Sequence, residues 1–391
     1  MSSDERLKLI GDLGAELKAR VLVYFCGDRP TTPARLGTDV LRSIYAQVTH
    51  MPTRKGRLVV FLYGIGGHVN SAWKIATLLR EFCEELHVLV PYKAHSAATL
   101  LALGSDKTIM SQMASLSPFD PIMEIGDVPI SVHDVLAYAK LAHALAFESP
   151  DQAKASVVTG MLSNLMEEGS PLILGQAYRL YRHVQMVAGQ LLDLHRPDYT
   201  EDARKAILRT LVEKGCLHSH VIRRSEARKI GLDVEDADDE LCRLSWDLCQ
   251  QYMDLLALDS PTDIDSLLPP DDERLVVERF PVAILESTHR CHAYRGTLQV
   301  TRRRDLSALK DVKIDPEVLL NVGTLVPDTA GELLRQLEQA SKVSIAQQLK
   351  QLAETESEAH LRGARWEDLT EERSRGENLG VFWGSGRGGR L

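Results

Sequence analysis

Two short stretches fix most of what this chain can become. Arg57-Leu58-Val59-Val60-Phe61-Leu62-Tyr63 is a largely apolar run that passes straight into Gly64-Ile65-Gly66-Gly67. After it, residues 70–85 place Ala72, Ile75, Ala76, Leu78, Leu79 and Phe82 at helical spacing. A second apolar run, Leu86–Val90, breaks at Pro91 and gives way to Ser96-Ala97-Ala98-Thr99-Leu100-Leu101-Ala102-Leu103, a small-residue helical pattern without charge on any face. Strand, glycine turn, helix, strand, serine turn, helix is the order of two successive βα units of one sheet.

Ser96 opens a buried helix, and two readings follow. As an N-cap, its hydroxyl accepts a hydrogen bond from a backbone N–H of the first turn. As a nucleophile, its attack product lies against the positive end of the helix and the N–H of Ala97. The glycine turn favours the second reading. Glycines directly after a buried strand let another backbone approach closely and leave N–H groups unpaired, which is how an oxyanion hole is built for acyl chemistry.

Around these residues the sequence resembles the serine dehydrogenase proteinase family, relatives of signal peptide peptidase A and the Clp protease subunit in the ClpP/crotonase superfamily. The resemblance rests on Gly66-Gly67, on Pro91 and Ser96-Ala97-x-Thr99, on Ala102-Leu103 followed by Asp106, and on Leu116-Ser117-Pro118-Phe119-Asp120-Pro121. It continues through Leu172–His195, Leu217-His218-Ser219-His220 and Glu226-Ala227-x-x-Ile230-Gly231-Leu232. Ala98 and Ser117 depart from it, each standing where the family usually has glycine.

The resemblance implies an α/β fold of ClpP/crotonase-like repeated ββα units with outer helices. It implies Ser96 as nucleophile, an oxyanion hole from Gly66, Gly67 and Ala97, and a substrate cleft lined by Ser117, Pro118 and Asp120. It also implies a peptide or unfolded-protein substrate, a homo-oligomer and no cofactor. The base is less constrained. Lys140 lies 44 residues after Ser96, in Leu136-Ala137-Tyr138-Ala139-Lys140-Leu141-Ala142, and matches the lysine of a Ser–Lys dyad. An apolar setting suits a lysine that must lose its charge near neutral pH, whereas the ordinary reading of such a residue is a snorkelling surface lysine. Lys154, His133 and His143 are the other candidates, and His95 a further one beside the serine.

The chain has 391 residues and a net charge of −9, which does not fit the basic footprint of a nucleic-acid-binding domain. The first residues lack a basic region leading into an apolar core, and no apolar run is long enough to span a bilayer. Six scattered cysteines suit a reducing compartment. The expectation is therefore a soluble, cytoplasmic protein. Cys216-x-His218-x-His220 and His289-x-Cys291-His292 lack the ligand spacing of a closed zinc site, so no metal is expected.

Further helices are expected over Asp4–Arg20, Arg35–Val48, Pro129–Glu148, Gln152–Glu168, Ile173–Leu194, Thr200–Lys214, Ser225–Gly231 and Glu240–Ala257. The acidic, proline-bearing run Asp259–Asp272 reads as a linker. Arg274–Glu286 and Gly296–Arg302 read as a small β element. A charged helix over Thr329–Glu354 is a candidate contact for a partner protein, and the Gly/Arg-rich 380–391 reads as a disordered tail. The expected organisation is thus a protease domain over 1–258, a linker and small β element packing on it over 259–310, and a charged helical region over 311–391. Two rival functions accompany the peptidase: a catalytically silent scaffold or peptide-binding adaptor, and a crotonase-like acyl-CoA enzyme.

Overall fold

The computed structural model describes residues 3–52, 55–125, 128–147, 171–194, 200–213, 220–259, 274–305, 354–377 and 379. Its centre is an eight-stranded sheet of order β12-β11-β10-β1-β2-β3-β5-β9. Strands β1 (Arg20–Cys26), β2 (Arg57–Tyr63), β3 (Glu85–Val90), β5 (Lys107–Met110) and β9 (Val234–Asp236) run parallel, with Val60 beside Val88 and Leu22 beside Val60. Burial is nearly continuous along β1, β2 and β3, as expected for parallel strands covered on both faces.

Alternate residues of each strand serve opposite faces. Val23, Phe25, Val59, Phe61, Tyr63, Leu89 and Ile109 join a core with Ile10 and Leu13 of α1 (Ser3–Glu16) and Leu244, Leu248 and Tyr252 of α9 (Asp239–Leu255). There Phe25 stacks on Tyr63 with ring centroids 4.1 Å apart. On the other face, α3 (Val69–Arg80) packs on β3 and α4 (Ala97–Leu103) on β5, with α6 (Pro171–Asp193) across both helices.

Several expected boundaries shift. The 35–48 segment forms a 3-10 turn at Thr38–Val40 and then α2 (Leu41–His50). The helix expected from Pro129 begins at Val132 as α5 (Val132–Phe147), because residues 128–131 form β8, a hairpin partner of β7 (Ile122–Ile125). Thr200 caps α7 (Glu201–Leu208) by accepting from the Ala203 N–H, and Gly231, at φ 102°, closes α8 (Arg224–Ile230).

The strands read from the sequence as a small β element packing on the protease domain are hydrogen-bonded into the main sheet. β10 (Arg274–Glu286) lies antiparallel to β1, with Val23 beside Glu286, and β11 (Cys291–Asp305) follows it. Beyond β11 stands β12 (Glu354–Asp368), in a region read from sequence as helix followed by polar tract, and α10 (Thr370–Ser374) comes after it. An outer strand needs only ladder partners and a few anchors such as Trp366, which packs 5.5 Å from the Tyr294 ring. Residues Met1–Ser260, Phe280–Arg295 and Ala364–Val381 form one compact unit. A second unit comprises Pro261–Arg279, Gly296–Gly363 and Phe382–Leu391. Of the regions expected from the sequence, residues 260–272 of the 259–272 linker, the 152–168 helix, residues 329–353 of the 329–354 helix and the 380–391 tail lie outside the described residues.

Candidate active site

The glycine turn and the serine turn meet at the C-terminal ends of β2 and β3. Gly64 donates to the Lys93 carbonyl and accepts from His95 N–H, both at 3.0 Å, so β4 (Lys93–Ala94) is stitched to the turn after β2. This brings Ser96 against Gly66. A Cβ on Gly66 would stand 2.7 Å from Ser96 Cβ and 3.0 Å from Ser96 Oγ, closer than packed atoms tolerate. Gly66 has φ 121° and Gly67 φ 157°; a Cβ on Gly67 would strike the Leu36 backbone, which forms a parallel bridge with it. Both glycines are thus required by close backbone approach as well as by conformation.

Ser96 is not a conventional cap. It precedes α4 with φ 55° and ψ −120°, its side chain makes no capping bond, and among the described residues its hydroxyl has no hydrogen-bond partner. A non-glycine residue held there costs on the order of 1–3 kcal/mol, and such strain survives only where its surroundings over-determine it. They do so here. Thr99 Oγ1 donates to the Ala94 carbonyl at 2.7 Å and accepts from Ser117 N–H at 3.1 Å, while Ser117 Oγ accepts from Ser96 N–H at 2.9 Å. Ser117 in turn donates to the Pro118 carbonyl. Ser96 itself is buried, at 6% exposure.

Among the described residues, the N–H groups of Gly66, Gly67 and Ala97 donate to no protein acceptor. Gly66 lies against Ser96, Gly67 follows Gly66 in the glycine turn, and Ala97 follows the serine in sequence. Sequence reasoning did not anticipate Leu36 or the Ser117-to-Ser96 bond; the Ser-Ala-x-Thr spacing was the available signal, since Thr99 one helical turn on reaches back to both strands.

Asp120 turns toward α5. Its Oδ1 lies 2.8 Å from His133 Nδ1 and accepts from Ser131 Oγ at 2.7 Å. His133 Nε2 lies 2.6 Å from the Val212 carbonyl oxygen. The hydrogen bond to Asp120 raises the His133 pKa; burial opposes that shift without cancelling it. With both ring nitrogens engaged on acceptors, His133 has no free lone pair in this arrangement. Lys140 is exposed on α5, and no hydrogen bond joins it to Ser96 among the described residues. His95 Nε2 lies 3.0 Å from Ser115 Oγ. Lys154 lies outside the described residues, as does the side chain of His143. Of the cysteine–histidine clusters, His220 pairs with Glu226 at 2.9 Å, His292 meets Gln47 at 3.2 Å and Cys291 is buried; Cys216 and His218 lie outside the described residues.

Residues 37–143 match the family of ClpP-like SDH-type serine proteinases. That segment holds Gly66, Gly67, Ser96, Ala97, Ser117, Asp120, His133 and Lys140, while Leu36 and Val212 lie outside it. The uncharacterized protein MJ0137 of Methanocaldococcus jannaschii is 27% identical over 197 residues, covering 50% of this chain and 58% of that protein. The uncharacterized protein MJ1495 of the same organism is 31% identical over 91 residues, 23% of this chain and 29% of the relative. The chain thus spans little more than half the length of the first curated relative and less of the second. Among solved structures, a mutant of the 1510-N membrane-bound stomatin-specific protease aligns at 14% identity and TM-score 0.33, over 54% of this chain and 79% of that one. ClpP1 from Listeria monocytogenes aligns at 9% identity and TM-score 0.31, over 59% and 99%. Among the described residues no helix is long and apolar enough to cross a membrane.

Proposed function

We propose that the chain is a serine peptidase in which Ser96 attacks the scissile carbonyl and Lys140 receives its proton. The observation that carries this reading is the conformation of Ser96: a hydroxyl free of any capping role, on a residue held at φ 55° against Gly66. The tetrahedral oxyanion would lie between the unpaired N–H groups of the glycine turn and of Ala97, each such donor contributing about 10²–10³ in rate. Ser117, Pro118 and Asp120 form the adjoining wall of the cleft, with Ser117 holding the serine's own N–H. Lys140 becomes a competent base when its ammonium is desolvated, as coverage of α5 by a bound peptide or a second copy of the chain would do. The substrate is a peptide or unfolded protein, and the working form a homo-oligomer.

A silent scaffold is the second reading, and the exposed Lys140, unjoined to Ser96, is what favours it. Intact mass after incubation with a fluorophosphonate separates the two. The wild type should gain one adduct and Ser96→Ala none, with Lys140→Ala slowed by about 10²-fold or more, the usual worth of general-base assistance. An unmodified wild type would sink the peptidase, and undiminished labelling of Lys140→Ala would move the base elsewhere.

A further inference from the structure

The loop after β6 (Ser115–Leu116) and the helix carrying Lys140 are bridged by a largely buried ion pair between Asp120 and His133. The Asp120 and His133 side chains are only 12% and 14% exposed. A carbonyl oxygen can only accept, and so can an ionised carboxylate. With Asp120 at 2.8 Å from Nδ1 and the Val212 carbonyl at 2.6 Å from Nε2, both contacts are hydrogen bonds only when both ring nitrogens of His133 donate, that is, when the ring is the imidazolium that its raised pKa favours. The cation therefore joins three segments at once: the 117–121 loop, the N-terminal turn of α5 and the turn at Arg209–Glu213. Backbone bonds run in parallel with it, from Val132 N–H to the Pro121 carbonyl at 2.9 Å and from Phe119 N–H to the Leu211 carbonyl at 2.8 Å.

Each end of this junction leads to the reacting groups. On the loop, Ser117 lies three residues before Asp120 and accepts the Ser96 N–H. On the helix, Lys140 lies seven residues after His133, two turns along the same face, which is about 10 Å. We infer that the Asp120–His133 pair is a positioning device that fixes the helix of Lys140 against the loop that holds Ser96. The inference rests on reading those two residues as base and nucleophile.

The arrangement carries a pH signature. Among the described residues, the groups facing His133 are Asp120 on the loop, Lys140 on its own helix, the Val212 carbonyl, and the Tyr181 ring of α6, set edge-on at 6.0 Å. Of these Asp120 favours the cation and Lys140 opposes it. Because the folded pKa of His133 is raised, the clamp is fully present below the unfolded value of about 6.5 and is lost as pH rises through the folded value. Neutral imidazole has one N–H for two acceptors, so either the loop or the 209–213 tie opens. A lysine base by itself gains activity with rising pH; the clamp adds a descending limb.

The test is the rate of Ser96 modification by a fluorophosphonate, measured from about pH 6 to 10 on the full chain, with peptide-level hydrogen exchange over 117–140 on the same samples. The wild type should show the descending limb. Asp120→Asn and His133→Gln should slow labelling at neutral pH by about 10–100-fold, since misplacement near 1 Å costs that much, and should raise exchange at the start of α5. His133→Arg, a cation at every pH, should restore much of the rate and remove the limb. Wild-type labelling with no such limb, or variants that label and exchange like the wild type, would overturn the clamp while leaving the peptidase standing. A wild type that never labels would overturn both, and the Ser96→Ala control distinguishes that result from nonspecific modification. The wild-type profile needs no variant, so it decides even where a substitution unfolds the protein.

Discussion

The turn at Ser96 and the carboxylate of Glu286 are both buried polar sites, yet they are built on opposite principles. Glu286, at the end of β10, is fully buried. Its Oε2 accepts from Arg6 at 3.2 Å and Tyr252 at 2.6 Å, and its Oε1 from Arg373 at 3.2 Å. Four elements, α1, α9, β10 and α10, converge on one carboxylate that accepts three hydrogen bonds, with no positive φ among the four residues and, among the described residues, only Arg6 Nη2 of the cluster left without a partner. The Ser96 turn instead concentrates positive φ at positions 66, 67 and 96 and leaves a hydroxyl and three N–H groups without protein partners among the described residues. Satisfied polar groups hold a fold together, whereas strained and unsatisfied ones mark where something else is meant to bind. Glu286 and its partners are built for stability, and the Ser96 turn is the site at which chemistry is proposed.

The largest effect should come from Glu286→Gln. Removing the charge leaves the Arg6 and Arg373 guanidinium groups buried without compensation, which typically costs about 3–5 kcal/mol. Urea unfolding measures it, and a loss below about 1 kcal/mol would break the assignment of stability to this cluster. Burial alone would raise the Glu286 pKa, but Arg6, the Tyr252 hydrogen bond and Arg373 outweigh it, so the net shift is downward. Its contribution is then present above the unfolded value of about 4.3 and lost as pH falls through the folded one. The wild type should lose this contribution in acid; the glutamine variant has none to lose. Whatever fraction of the variant remains folded should still label at Ser96.

Gly66→Ala should do the reverse. A Cβ there meets Ser96 Cβ at 2.7 Å, on a residue with φ 121°. Displacing the serine from its donors should slow fluorophosphonate labelling by about 10²–10³, while the Glu286 cluster remains intact and circular dichroism still reports the native fold. Equal labelling of Gly66→Ala and wild type would show that the close approach of the two turns has no chemical role.

The two regions also differ in how far the sequence disclosed them. The Ser96 site was legible because its determinants are local: an apolar run ending in glycines, a second ending at a serine, and small residues between. The Glu286 cluster was not, since its members lie at positions 6, 252, 286 and 373 and only the sheet order brings them together. The same limit hid β12, whose charged sequence carries no apolar alternation and is extended by pairing at the sheet's outer side. It also moved the start of α5: Gly126-Asp127 between two short apolar runs is a hairpin signal, but Pro129 reads equally well as a first helical residue. The Asp120–His133 pair was half visible, both residues having been singled out separately with nothing in the sequence to join them.

The smallest effect tests the strain at Ser96 itself. In an ordinary helical position glycine is less stable than alanine by about 0.5–1 kcal/mol, because it loses more backbone freedom on folding. At φ 55° the order should invert, since glycine alone occupies that region without steric cost. Ser96→Gly is expected to be more stable than Ser96→Ala by about 1 kcal/mol, read as the difference in urea midpoints at equal slope. The same pair of substitutions at the exposed Lys74 of α3 supplies the ordinary sign. Should glycine be the weaker residue at both positions, the turn is relaxed, and the hydroxyl's lack of a cap would have to be explained without stored strain. An inversion at position 96 alone means that the chain sacrifices stability at the one residue proposed to react, while Glu286 and its partners hold the fold together elsewhere.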